Sequence, residues 1–231
     1  ERCAAAHEDD KAAVKRLWEW IYSCKGNPTK FLNEYAEYFG SDSPFAWYLI
    51  TDYFMAVDNR AKNMMLVTWD GKIWYFIPYD MDTVFGERND SVLKYDYTIT
   101  WETMDESIGS YAFAGHDSVL WELVRGCPDK LREVADKLRS TMSLEYVLKV
   151  FNEEMMGNWC ERIYNKDGIY KYIKPLTEGV TTADGTTSYY DYLYALQGSR
   201  YAHRTYTIQN RFALLDSQYV CGTYRKDSFA A

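Results

Sequence analysis

In the stretch VDNRAKNMMLVTWDGKIWYFIPYDMDTVFG, residues 57–86, two apolar runs meet at Asp70-Gly71, and this pair constrains the fold more than any other feature. Asp-Gly between apolar runs is the turn chemistry of a two-residue β-hairpin loop. It predicts strands over 64–69 and 72–79. A two-residue turn sets Trp69 opposite Lys72 and Asn63 opposite Pro78, with Asp80 about 7 Å further along the strand. The polar residues at the outer ends of the runs, Asp58 and Asn63 on one side and Asp80 and Asp82 on the other, then gather at one mouth. Carboxylates cost free energy to bury, so their place at the ends of the most apolar strands points to a task. Three or four oxygen ligands at the end of a dry sheet suit a hard cation such as Mg²⁺, which also neutralises their mutual repulsion.

Everything around the hairpin reads as helix. Ala13, Leu17, Trp20, Ile21 and Cys24 recur at helical spacing over about 10–24, and Gly26, Asn27 and Pro28 end that run. A short helix is predicted over 30–39. Ser43-Pro44 opens another, with the serine as cap, which delivers the chain through Phe45, Leu49 and Tyr53 to Asp58. Residues 87–116 read as irregular. Beyond them, Asp117/Ser118 cap a helix to Arg125, Pro128 starts one to about 138, and Ser143 starts a long one to about 164. Gly179 to Thr187 reads as a polar loop, 188–196 as helix, and the last helix from about Tyr201 sets Ile208, Phe212, Leu215 and Tyr219 on one face. The expected fold class is therefore α+β, mostly helical, with one small sheet and no internal repeat or domain break over 1–231.

Composition removes several function classes. A net charge of −8 argues against nonspecific nucleic-acid binding, which needs a basic face. Five cysteines, odd in number and without a Cys-x-x-Cys pair, indicate neither a zinc site nor a disulfide framework. They suit a reducing compartment better. No membrane span or signal peptide is visible, so a cytoplasmic or particle-assembled protein is expected. His7, His116 and His203 share no ligand spacing. His203 lies among Arg200, Arg204 and Arg211, which read as a solvated helix face. Met64, Met65, Met155 and Met156 read as core filler.

Spacing narrows the chemistry at the hairpin mouth. Asp58 to Asn63 is D-x-x-x-x-N, the interval of the protein-kinase catalytic loop, where the Asp addresses the substrate hydroxyl and the Asn holds a metal. A strand pair and a metal-binding Asp should follow, and Asp80 stands where that residue belongs. Arg60 occupies the place at which many Ser/Thr kinases carry a phosphate-contacting lysine. Each motif has plainer readings. An Asp-Asn after a helix is often a C-terminal turn. D-x-D ends many strands and also serves nucleotide-sugar glycosyltransferases, although no β-α-β alternation precedes it here.

"DNRAKN…WYFIPYDMDTVFG" resembles the atypical kinases of the spore-coat CotH family, whose pattern is an Asp-Asn…Asn loop, a short hairpin and a Pro-Trp-Asp-Leu-Asp segment. Here Pro78-Tyr79-Asp80-Met81-Asp82 carries tyrosine for that tryptophan and methionine for that leucine. Similar domains occur in large bacteriophage virion proteins. The resemblance implies a kinase-like C-lobe and ATP- and Mg²⁺-dependent phosphorylation of Ser or Thr hydroxyls. It implies Asp58 as the catalytic Asp, Asn63 and Asp80 as the nucleotide and metal ligands, and Asp82 as an auxiliary metal carboxylate. Partners would be a protein substrate or other proteins of a coat or tail assembly, with no nucleic acid and no membrane. The 57 residues before Asp58 contain no phosphate-covering glycine loop or strand lysine, so the nucleotide-clamping lobe is expected to be missing from this stretch. An inert coat or virion component that retains the fold is the competing expectation.

Overall fold

The structure is a computed structural model that describes residues 8–60, 63–81, 84–86, 96–99, 118–151, 180–181, 187–188 and 200–220. Helix α1, Glu8–Ser23, turns its Leu17, Trp20 and Ile21 inward, as their spacing requires. Asn27 caps α2, Pro28–Glu34, by accepting from Lys30 N at 3.0 Å, and a 3₁₀ turn follows over Tyr35–Glu37. The expected single helix over 30–39 is thus a short α-helix and a 3₁₀ turn.

Helix α3, Ser43–Tyr53, is the centre of the molecule. Its Phe45, Trp47, Tyr48, Leu49 and Tyr53 are all buried, so it is apolar around most of its circumference. Ser43 is the first helical residue here, and Asp42 takes the cap position without a side-chain cap bond. The Asp42 carboxylate is engaged elsewhere, by Tyr35, Lys130 and Lys137. After α3, Met55 adopts φ 52° and a 3₁₀ turn covers Val57–Arg60.

The hairpin follows as β1, Met65–Thr68, and β2, Trp74–Ile77, paired antiparallel. Its register pairs Thr68 with Trp74 and Met65 with Ile77, one residue displaced from the two-residue-turn expectation. The cause is Asp70. Its Oδ1 accepts from Lys72 N at 2.8 Å and Ile73 N at 2.9 Å, which holds 69–73 as a wider turn with Gly71 at φ 69°. Nor is the sheet dry: β1 is half-buried along its length, and in β2 only Trp74 is buried.

Helices α4, Val119–Arg125, α5, Pro128–Thr141, and α6, Leu144–Val150, come next. Ser118 and Ser143 cap α4 and α6 as expected, accepting from Trp121 N and Tyr146 N. The rest of the long helix expected after Ser143 lies outside the described residues. Val180–Thr181 (β3) and Thr187–Ser188 (β4) pair antiparallel, so the ends of the expected loop form a short ladder and Ser188 belongs to a strand. Helix α7, Arg200–Tyr219, packs against α3, α5 and α6 through Ile208, Phe212 and Leu215.

Two buried ion pairs lock α7 in place. Arg211 donates to Asp52 Oδ1 at 2.6 Å and Asp52 O at 3.0 Å, and to the carbonyls of Tyr97 and Ile99. Arg139 of α5 donates to both oxygens of Asp216, at 2.8 and 3.1 Å, while Tyr53 donates to Asp216 Oδ1 at 2.7 Å. Arg211 is therefore not part of a solvated face. It is 2% exposed, because the helix docks with that side against the end of α3. The side chains of Arg200, His203 and Arg204, like His7, His116 and Asp82, lie outside the described residues.

Candidate active site

The mouth of the hairpin is built from behind by two indoles. Trp47 on α3 donates from Nε1 to Asn59 O at 2.9 Å, and Trp121 on α4 donates from Nε1 to Arg60 O at 2.8 Å. Both rings also pack on Phe76 of β2, with centroids 5.9 and 5.5 Å away. The same two side chains thus hold the 57–60 turn by hydrogen bonds and the hairpin by ring packing. A buried indole ordinarily finds a partner for its N–H. Here those partners are successive carbonyls of the turn.

Arg60 is turned inward and is 1% exposed. Its Nε donates to Thr51 Oγ1 at 2.8 Å, one terminal nitrogen donates to Tyr48 O at 2.7 Å, and the guanidinium lies 3.8 Å from the Tyr48 ring centroid. Burial pulls its pKa down, against opposing contributions from Tyr48 and Asp52. The placement expected for a phosphate-contacting cation is not the one observed. This side chain is instead drawn into a slot on α3. Arg60 shapes the turn from its inner side.

Of the residues expected at the mouth, Asn63 meets Asp80 and is tied to the main chain of Asp58, while Asp82 lies outside the described residues. Asn63 N donates to Asp58 O at 2.8 Å, closing the loop between them. Asn63 Nδ2 then donates to Asp80 O at 3.0 Å and Asp80 Oδ2 at 3.3 Å. Asp58 and Asn63 are buried, at 8% and 7% exposure, whereas Asp80 stands at the exposed lip of the mouth. Asp80 has φ 51°, a left-handed conformation that Asp tolerates better than most residues and that is frequent where a side chain must be aimed. Continuing the observed register from Met65↔Ile77 by two positions brings Asn63 level with Tyr79. Asp80 is therefore one residue past the pair, closer than the two-residue turn predicts.

Asn59 was not singled out by spacing. It is wholly buried, and its Nδ2 donates to Tyr79 O at 2.8 Å and more weakly to Asn63 O at 3.5 Å. Downstream, Phe85 N donates to Phe54 O at 2.8 Å, and Phe85-Gly86 both carry positive φ, at 55° and 84°. The Phe85 ring packs on Phe54 at the end of α3. The segment that begins at Asp80 is thus anchored again at Phe85.

Asn63 and Asp80 bring together a carboxamide and a carboxylate, hard oxygen donors of the kind Mg²⁺ prefers. Asn63 and Asp80 touch directly, and the Asn63 Oδ1 is not consumed by the bond to Asp80. These residues fit a divalent cation. Among the described residues no group of three or more His, Cys, Asp or Glu gathers for metal binding.

The family described as CotH kinase protein matches residues 3–166, a span that contains α1 to α6 and the whole hairpin mouth. The chain belongs to the CotH kinase family. Comparison with curated proteins and with solved structures yields no significant match. The CotH match reaches well beyond the hairpin motif and includes the helices that carry Trp47 and Trp121. Among the described residues, no helix of this CotH-family chain is long and apolar enough to cross a membrane.

Proposed function

We propose that this CotH-family chain carries the phosphotransfer site of an atypical kinase, moving the γ-phosphoryl group of ATP to a Ser or Thr hydroxyl. The observation that carries the reading is the linked set Asp58–Asn63–Asp80, two backbone-and-amide hydrogen bonds that bring the D-x-x-x-x-N interval and the following Asp to one mouth. Asp58 receives the proton of the acceptor hydroxyl as its oxygen bonds to the γ-phosphorus and the bond to the β-phosphate oxygen breaks, leaving ADP. Asn63 and Asp80 hold Mg²⁺, which when bound neutralises charge on the phosphates. Asp82 is assigned as an auxiliary carboxylate from the family pattern alone. Arg60 is given no phosphate contact, since its guanidinium is engaged with Tyr48 and Thr51.

One observation favours a second reading, an inert coat or virion component that keeps the fold. Residues 8–57 are helices and turns apart from a single bridge between Phe39 and Trp74, so a phosphate-covering strand pair is not among them. Incubating the full chain with labelled ATP, Mg²⁺ and a Ser/Thr-bearing protein separates the two readings. Phosphotransfer predicts label that disappears in Asp58→Ala and Asp80→Ala while circular dichroism stays native. No incorporation by the folded wild type, together with no ATP binding, supports the inert reading. Label that persists in both variants places the chemistry elsewhere.

A further inference from the structure

We infer that Asn59 is a positioning residue for the metal ligand Asp80, an inference that rests on the phosphotransfer reading above. Tyr79 O and Asp80 N belong to one planar peptide. By donating to Tyr79 O at 2.8 Å, the Asn59 amide fixes that plane just before the left-handed Asp80, whose φ is 51°. With the plane and φ both set, the direction of the Asp80 side chain is set, and it meets Asn63 Nδ2. The weaker bond from Asn59 to Asn63 O ties the second ligand to the same amide. One buried side chain thus holds the backbone before Asp80 firmly and that of Asn63 only weakly.

Packing alone does not account for an asparagine here. Asn59 is wholly buried, and its Oδ1 has no partner among the described residues. A buried acceptor left unpaired costs stability, which an apolar residue of similar volume would avoid. The donor, aimed at two carbonyls, is what the asparagine contributes. Residues that orient ligands from behind typically change metal affinity 10–100-fold when removed.

The test uses the full chain and Mn²⁺ as a paramagnetic probe, with free ion read by electron paramagnetic resonance and no nucleotide present. Asn59→Ala is expected to weaken Mn²⁺ binding by about 10–100-fold. In an Asp80→Ala background the same substitution should cost far less than in the wild type, because the strong Asn59 bond acts through Asp80 and only the 3.5 Å bond to Asn63 O remains. Equal affinity in wild type and Asn59→Ala overturns the inference alone, as do losses that multiply independently in the double variant. Wild type that binds no Mn²⁺ overturns the metal reading of the whole site and this inference with it. A measurement on the wild type stands even where Asn59→Ala does not fold. During Mg²⁺ titration the ¹⁵N side-chain amide of Asn59 should shift in step with that of Asn63; an unmoved Asn59 signal counts against the inference.

Discussion

The side-chain amide of Asn63 donates to the main-chain oxygen of Asp80 at 3.0 Å, joining the loop before the hairpin to the segment after it. This bond makes one site out of two motifs. Removing the Asp80 carboxylate should abolish phosphotransfer, and it also exposes the cost of the backbone at that position. At φ 51° an alanine is strained and a glycine is not. Asp80→Gly should therefore be more stable than Asp80→Ala by about 1 kcal/mol, with phosphotransfer expected from neither. Urea unfolding of the two variants checks this. Equal stabilities would mean that the left-handed conformation is not held in solution.

The meeting of Asn63 with Asp80 is legible in the sequence because it depends on one local turn. The register departs by one position from that of a two-residue turn for an equally local reason: the Asp70 carboxylate captures both Lys72 N and Ile73 N and widens the turn. What no spacing reveals is the support behind the mouth. Trp121 reaches Arg60 O across 61 positions, and Arg211 reaches Asp52 across 159. Arg211 grouped with other arginines as a wet face, and only the docking of α7 on α3 turns it into a buried tie. Arg60 failed differently. Its spacing sets it beside Asp58, but Tyr48 and Thr51 supply an inner slot that draws the guanidinium away.

Trp121 is expected to support the loop by hydrogen bonding as well as by volume. In Trp121→Phe the hydrogen bond from the indole to the Arg60 carbonyl is lost inside the core, which by itself costs about 0.5–1.5 kcal/mol. The space vacated by the indole adds to the loss. Thermal unfolding should register a lowered midpoint. A midpoint equal to wild type would show that the carbonyl finds another donor at no cost.

Acid should weaken the fold through Asp42, which joins the first helices to α5. Burial raises its pKa, but hydrogen bonds from Lys130, Tyr35 and Lys137 outweigh burial together and hold the carboxyl at about 2. A depressed folded pKa stabilises the fold above the unfolded value. The contribution of Asp42 is therefore complete above a pH of about 4 and is lost as the pH falls toward about 2. Because the group is partly exposed, solvent screening limits it to about 1 kcal/mol or less. Urea unfolding of wild type and Asp42→Asn should give stabilities that converge through that window. A gap that does not change with pH would remove Asp42 from the acid response.

The Arg139–Asp216 pair carries the largest expected stability effect. Asp216 accepts from Arg139 Nε, from an Arg139 terminal nitrogen and from Tyr53, and all three residues are buried. Arg139→Met leaves the Asp216 charge in the core with, among the described residues, the Tyr53 hydroxyl as its side-chain partner, which should cost about 3–5 kcal/mol. Replacing both members with apolar residues removes the charge as well as its partner, so Arg139→Met with Asp216→Leu should recover most of that loss. A double variant as unstable as the single one would show that the pair acts through its hydrogen bonds to Tyr53 and the Met142 carbonyl rather than through charge compensation. The comparison needs only equilibrium unfolding of three proteins. It also separates fold from chemistry, since none of these residues touches the Asp58–Asn63–Asp80 mouth.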